Sequence, residues 1–454
     1  MDALTEELIR LLGADSIATG AEARSRMPSG SRGALLLLPR NTGQVSGALA
    51  LCHRARRPVV AQGGLTGLVN GAVSGPGEVA LSFDRMRRIE EVDPINRCMT
   101  VEAGVPLQAA QEAAEEVGLM LPLDLGARGS ATIGGMVSTN AGGTRVLRFG
   151  MMRELVLGLE AVLADGTIID ARRKLVKNNT GYDLKHLFIG SEGTLGLVTG
   201  VVLRLRPKPH SHNTALVALD DFVQLTRFVA AMEARLPGAL SSFEVMWQSF
   251  YDLVTGPPAK GRAILGQGHA YYVLVETLGA DPQCDGGALA AALSQAQEEG
   301  LVAEGVLACT AAERRAMWSL REDLDQLSRE GPYFAYDVSL TLDAMEAYVA
   351  EVQSRLAARF ARPHCWIYGH LADGNLHLAV RAGEEDAHEE VDAIVYGALS
   401  TGGSSVSAEH GIGLLKKAHL PRSRTGPELA LMRALKQALD PQGILNPGKV
   451  FDIR

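Results

Sequence analysis

Three glycine-rich stretches in the first half of the chain constrain it most, because glycine lets a backbone pass where a Cβ would collide. They are Gln62-Gly63-Gly64-Leu65-Thr66-Gly67, then Gly129-Ser130-Ala131-Thr132-Ile133-Gly134-Gly135 running on to Asn140-Ala141-Gly142-Gly143, and Gly190-Ser191-Glu192-Gly193-Thr194-Leu195-Gly196. Backbone N–H groups in such loops can turn inward and bind phosphate as a nest. Neither GxGxxG spacing nor a GK[ST] loop is present, which excludes the common dinucleotide and P-loop patterns. One glycine cluster is ordinarily a turn. Three, each with Ser or Thr donors, point to a large diphosphate cofactor.

Short apolar strands alternate with helices around these stretches. Strands are expected at 34–39, 58–62, 78–83, 99–105, 156–164, 167–170 and 195–205. Asn41-Thr42 caps a helix reaching Arg56, Pro106 opens one ending at Gly118, and Asp165-Gly166 turns a hairpin. Arg206-Pro207-Lys208-Pro209-His210 reads as a linker. Beyond it, strands are expected at 215–219, 242–246, 271–276 and 335–340, and Thr310 caps a helix running to about Glu330. The 454 residues suggest two packed units, divided as 1–29 (lead-in helix), 30–207, 208–425 and a returning segment 426–454. A net charge of −8 with few aromatics argues against a nucleic-acid groove, and the longest apolar runs are too short to span a membrane. The acidic start resembles neither a secretory signal nor a transit peptide, and the five cysteines lack CxxC spacing. A cytoplasmic, reduced protein is expected, with room for a homodimer.

In the second half, Gly369-His370-Leu371-Ala372-Asp373-Gly374-Asn375-Leu376-His377 predicts a hairpin turning at Asp373-Gly374. A two-residue turn there pairs His370 with His377, their Cβ atoms roughly 5 Å apart. Two imidazoles so placed suit a divalent metal such as zinc. Ser407-Ala408-Glu409-His410-Gly411 follows about 30 residues later, and Glu409 would supply an oxygen ligand. Neighbours on a strand face opposite ways. One of Glu409 and His410 can therefore hold metal while the other moves a proton. A surface charge pair is the plainer alternative.

The order of the glycine stretches, with Leu121-Pro122-Leu123-Asp124-Leu125-Gly126 between them and Lys177-Asn178-Asn179-Thr180-Gly181-Tyr182-Asp183-Leu184 before the third, resembles the vanillyl-alcohol oxidase type of flavoprotein. The His pair, Glu409-His410 and Asn446-Pro447-Gly448-Lys449 narrow the resemblance to the FAD-dependent D-2-hydroxy acid dehydrogenases, over residues 30–454. It implies an α+β, two-domain FAD-binding fold with an α+β substrate (cap) domain. It implies that Gly63, Gly64, Leu65, Thr66, Gly67 and Leu68 hold the FAD diphosphate. Ser130, Thr132, Gly134, Gly135, Asn140 and Gly142 would line the flavin path, with Glu192, Gly193, Gly196 and Val198 toward the adenine. Asn446 would approach the isoalloxazine, and Gln62, Pro122, Asp124, Gly126 and Ser138 join the same cofactor set. The first loop has no histidine, so FAD is expected to be non-covalent.

By the same resemblance His370, His377 and Glu409 are the metal ligands, His410 is the general base, and Arg321 grips the substrate carboxylate. The plainer reading of Arg321 is an exposed helix residue paired with Asp325. Three positions depart from the hydroxyglutarate enzymes: Asp325 stands for Thr, Ala335 for Lys and Ala379 for Asn. These changes disfavour a second substrate carboxylate, so a D-2-hydroxy acid with a neutral side chain, D-lactate being the simplest, is expected over D-2-hydroxyglutarate or D-malate. The electron acceptor is left open among a flavoprotein, a quinone and oxygen. A zinc hydrolase and a non-catalytic FAD scaffold are the competing readings. The first leaves three glycine stretches idle, and the second leaves the metal ligands and base idle.

Overall fold

The computed structural model describes residues 2–329, 331–384 and 386–453, and the chain divides into two units. Unit 1 comprises Met1–Gly143, Gly150–Lys208 and Glu409–Arg454, and unit 2 comprises Thr144–Phe149 and Pro209–Ala408. Among the described residues no helix is long and apolar enough to cross a membrane.

Unit 1 contains two larger sheets and a two-stranded one that pairs Arg206–Pro207 with Leu119–Met120. In the first, β1 (Ile17–Thr19), β2 (Leu35–Leu37), β3 (Val59–Gln62) and β4 (Val79–Ser82) lie in the order β1-β2-β4-β3, parallel except for β1. Two helices pack there: α1 (Ala3–Leu12) buries Leu8 and Leu12, and α2 (Thr42–Arg54) buries Val45, Ala48, Leu49 and Cys52. Asn41 starts α2 as expected, its side chain accepting from the Gln44 amide at 3.0 Å. The second sheet is antiparallel: β5 (Ile89–Asp93), β6 (Cys98–Glu102), β7 (Val156–Val162), β8 (Ile168–Asp170) and β9 (Leu197–Arg204), ordered β5-β6-β9-β7-β8. The Asp165-Gly166 hairpin forms between β7 and β8, pairing Val162 with Ile168. The C-terminal segment returns to β3, where the Val59 amide donates to Ile444 O and Asn446 N donates to Val59 O. Buried Lys436 secures that return by donating to Asp440, Thr194 O and Leu445 O.

Unit 2 is built on a seven-stranded sheet. Its strands are β10 (Ser211–Leu219), β11 (Leu240–Trp247), β12 (Tyr271–Gly279), β13 (Glu304–Leu307), β14 (Phe334–Ser339), β15 (His364–His370) and β16 (Asn375–Arg381). They lie in the order β13-β10-β12-β11-β15-β16-β14. Side chains alternate between faces, so one face collects Leu216, Met246, Leu274, Trp366, Tyr368 and Ala379. Helices α3 (Gln248–Thr255), α4 (Ala311–Glu322) and α5 (Asp325–Arg329) cover it with Phe250, Tyr251, Val254, Met317, Leu320 and Leu327.

Two local expectations need correction. The helix capped by Thr310 stops at Glu322, Asp323 breaks it at φ −78°, ψ 61°, and α5 starts anew; Glu330 lies outside the described residues. Asp325 is therefore not one helical turn from Arg321. The second correction is the hairpin register. The turn between β15 and β16 holds four residues, Leu371–Asp373 as one 3-10 turn followed by Gly374 at φ 86°. His370 thus pairs with Asn375, and His377 pairs with Tyr368. A glycine after aspartate can close a two-residue turn or end a longer one in the left-handed region, and here it ends the longer one. The slip is two residues, which preserves the face of every side chain.

Candidate active site

In unit 1 the first two glycine stretches meet. A Cβ on Gly64 would lie 1.8 Å from Ser130 O, and one on Gly63 2.6 Å from Thr132 Oγ1. Only glycine permits that approach. Gln62 is buried at the end of β3 and donates to Ala72 O at 3.0 Å. Leu65, at φ 58°, and Leu68 stand exposed beside Thr66 and Gly67. Thr132 precedes a short helix, Ile133–Thr139, that contains Gly134, Gly135 and Ser138. The Ser138 hydroxyl donates to Gly134 O, and Asn140 ends the helix in the left-handed region, accepting from Arg153 N. The segment holding Pro122, Asp124 and Gly126 packs on the second stretch beside Gly142, Asp124 O lying 2.0 Å from where a Gly143 Cβ would be.

The third stretch joins them through Asn446. Its side chain accepts from Ala61 N at 2.9 Å and donates to Glu192 O at 2.5 Å. Glu192, at φ 51°, turns its half-buried carboxylate onto the amides of Ile412 and Gly413, at 2.7 and 2.8 Å. Burial pushes this carboxyl above its ordinary range, against the pull of those two amides and of Lys416. Gly193 and Gly196 follow, then Val198 within β9. Glu409 and His410 lie on a bend rather than on a strand, and Glu409 Oε1 accepts from Gly143 N at 2.6 Å.

The cradle fits a dinucleotide cofactor on two counts. Its closest approaches exclude any Cβ, and Thr132 Oγ1 is buried with no hydrogen-bond partner. A buried hydroxyl left so costs about 1–3 kcal/mol unless a bound group satisfies it.

In unit 2, His370 and His377 are diagonal neighbours on the helix-covered face, rings 5.4 Å apart at 83°. One ring nitrogen of each lies within 4.8 Å of the other, a donor pair suited to a divalent metal. Register places Glu244 directly opposite His370, and Asp337 directly opposite His377. Glu244 Oε1 meets His370 Nδ1 at 2.8 Å, and Asp337 Oδ1 lies 3.7 Å from His377 Nδ1. Asn375 Nδ2 donates to Asp337 Oδ1 at 2.8 Å. Arg321 is buried, with its guanidinium 3.0 Å from Glu244 Oε2 and 4.8 Å above the Tyr368 ring. The exposed pair with Asp325 is thereby corrected: the partner is Glu244, and Asp325 is exposed on the following helix. Sequence reasoning missed Glu244, Asp337 and Tyr368, because only strand register brings them to the histidines. Ala335 and Ala379 pair directly, two residues beyond Asp337 and His377 on the same face.

Residues 33–172 match the family described as FAD binding domain, and residues 208–450 match FAD linked oxidases, C-terminal domain. The chain belongs to the FAD-linked oxidases. Within that family it groups with the D-2-hydroxy acid dehydrogenases. It is 42% identical over 425 residues to the D-2-hydroxyglutarate dehydrogenase, mitochondrial, of Bos taurus, covering 92% of this chain and 76% of that one. It is 40% identical to the D-2-hydroxyglutarate dehydrogenase of Xanthomonas citri pv. viticola (92% and 89% covered). A putative D-lactate dehydrogenase of Schizosaccharomyces pombe is 38% identical (91% and 81% covered). Among solved structures, p-cresol methylhydroxylase superposes with a TM-score of 0.78 at 16% identity, covering 99% of this chain and 96% of that one. 4-Ethylphenol oxidase from Gulosibacter chungangensis gives 0.74 at 18%, covering 99% and 96%. These two establish the vanillyl-alcohol oxidase type of fold for this FAD-linked oxidase, as the motifs implied.

Proposed function

We propose that this FAD-linked oxidase converts a D-2-hydroxy acid to the 2-oxo acid at a divalent metal held by His370, His377 and Glu409. The observation that carries the reading is one sheet face bearing two apposed histidines, with a buried arginine on the helix that covers it, in a chain of this family. Zn2+ suits a His-His-Glu donor set with an open position.

Bound FAD, held non-covalently, supplies the acceptor for the Cα hydride, and the metal supplies Lewis acidity at the hydroxyl. The residues do the rest. Arg321 binds and orients the substrate carboxylate, and Tyr368 beneath the guanidinium keeps its plane. His410 takes the hydroxyl proton as Cα is oxidised.

We assign a preference for neutral side chains, D-lactate being the simplest case. Ala335 and Ala379 place no cation or amide beside the histidines, and Glu244 already counters the Arg321 charge. A second reading, D-2-hydroxyglutarate, is favoured by the names of relatives at 40–42% identity. A panel of D- and L-2-hydroxy acids with an artificial electron acceptor separates them. We expect D-lactate to exceed D-2-hydroxyglutarate in kcat/KM. The reverse order selects the second reading, and turnover of neither refutes both.

A further inference from the structure

We propose that Glu244 is a positioning residue serving His370 and Arg321 at once. It would set the ring of His370 for metal and counter the charge of Arg321 so that carboxylate binding stays reversible. The proposal rests on the metal reading above.

The backbone fixes the arrangement before any side chain acts, since Glu244 and His370 are directly opposed across β11 and β15. With Nδ1 of His370 against Glu244 Oε1 at 2.8 Å, the Nδ1–H tautomer leaves Nε2 as the lone-pair nitrogen. A carboxylate behind a ligating imidazole raises its basicity and fixes its ring. The other oxygen of Glu244 is committed differently. Oε2 stands 3.0 Å from Nη2 of the Arg321 guanidinium as an ion pair, while Arg321 Nε is buried with no hydrogen-bond partner. A pair built only for stability would also engage Nε, because a buried unsatisfied donor is expensive. Here Glu244 counters the arginine's charge at one terminal nitrogen and leaves Nε–H without a protein partner, a donor that a bound carboxylate would satisfy. The Tyr368 ring supports the guanidinium at 4.8 Å, so Glu244 need not grip it.

A role as mere counter-charge predicts something different, and two variants of the FAD-loaded full chain separate the cases. Glu244→Gln keeps the size and one acceptor oxygen but removes the charge. Glu244→Gln with Arg321→Met removes both charges at similar volume, so it answers the question if the single variant does not fold. Zn2+ affinity is read by competition with a chromogenic chelator, without turnover, and flavin absorbance confirms that the cofactor is in place. Loss of a residue behind a metal ligand typically weakens metal binding about 10–100-fold. We expect about tenfold or more in both variants. In Glu244→Gln at saturating Zn2+, KM for the preferred D-2-hydroxy acid should fall by about threefold or more, since Arg321 loses its counter-charge. Weaker metal with tighter substrate is a pairing that general loosening does not produce. Wild-type Zn2+ affinity in the double variant overturns the link to His370, and an unchanged or raised KM in the single variant overturns the link to Arg321. A wild-type chain that takes up no Zn2+ fails earlier, at the metal reading itself.

Discussion

Each unit draws a glutamate out of water at its candidate site, half-buried Glu192 in one and fully buried Glu244 in the other, and their carboxyls shift in opposite directions. Glu192, in unit 1, is held by two backbone amides, and burial wins, leaving its carboxyl above the ordinary range. Glu244, in unit 2, is buried more completely. Burial pushes it up too, but with no metal bound the charges of Arg321 and a protonated His370 outweigh that push, and it ends below the ordinary range. The difference teaches what sort of partner each carboxylate needs. Removing a carboxylate from water costs several kcal/mol. Amide dipoles offset part of this, whereas the Arg321 cation at 3.0 Å, with a protonated His370 when no metal is bound, outweighs it. Glu192 is placed to hold backbone, the segment that follows Glu409 and His410. Glu244 is placed to hold side chains that meet ligands.

The most severe way to break the unit 2 half of this comparison is to remove a histidine. His370→Ala or His377→Ala should lose the metal and lower kcat by about 10³-fold, in line with several kcal/mol of lost charge stabilisation. Flavin should stay bound, because the glycine cradle lies in unit 1. Elemental analysis and visible absorbance on the same sample check both statements. His410→Ala is the contrast: metal retained, flavin reduction slowed about 10²-fold through loss of the base. Full activity after exhaustive chelation would remove the metal from the mechanism.

A milder change sharpens the charge argument. Ala335→Lys adds a cation across from Ala379, on the face shared with His377 and Asp337. It should raise the kcat/KM ratio of D-2-hydroxyglutarate to D-lactate about tenfold, one charge-assisted contact being worth roughly 1.5–3 kcal/mol. Changing Asp325 to Thr should add nothing, since Asp325 lies beyond the helix break at Asp323. An unchanged ratio in Ala335→Lys, with the metal in place, would show that the two alanines do not border the substrate side chain.

Local chemistry was legible where it had one solution. Asn41 as a cap and Asp165-Gly166 as a turn act within four residues of themselves, and both formed as expected. The cradle was legible because only glycine permits its contacts. Polar edge strands such as Ile89–Asp93 and Glu304–Leu307 escaped, since half-exposed segments carry little apolar alternation. The His370–His377 pairing was wrong by two residues, yet the shared face survived, because the pleat repeats every two. Glu244 could not be read at all. It lies 126 residues from His370, and its contact follows from strand order in a seven-stranded sheet. Arg321 was legible as a residue but not as a buried one, because nothing in Leu320-Arg321-Glu322-Asp323 marks the end of a helix as Gly or Pro would.

The smallest effect tests the unit 1 half, through pH rather than activity. Glu192 has a folded pKa above its unfolded value, so the folded state binds the proton more tightly. Its contribution is therefore fully present below the unfolded value near 4.5 and is lost as pH rises through the raised folded value. Glu192→Gln removes that dependence while keeping one oxygen for the amides of Ile412 and Gly413. At pH near 4 the variant should be the less stable, because a protonated Glu192 is uncharged and already bonded. Toward pH 7 the gap should shrink, since wild type alone carries the charge. A shift of about 1 kcal/mol corresponds to roughly 2–4 °C in Tm for a unit of this size, which calorimetry across that range resolves. A gap that widens with pH would mean that the two amides, with Lys416, overcome burial, and the contrast between the two glutamates would disappear.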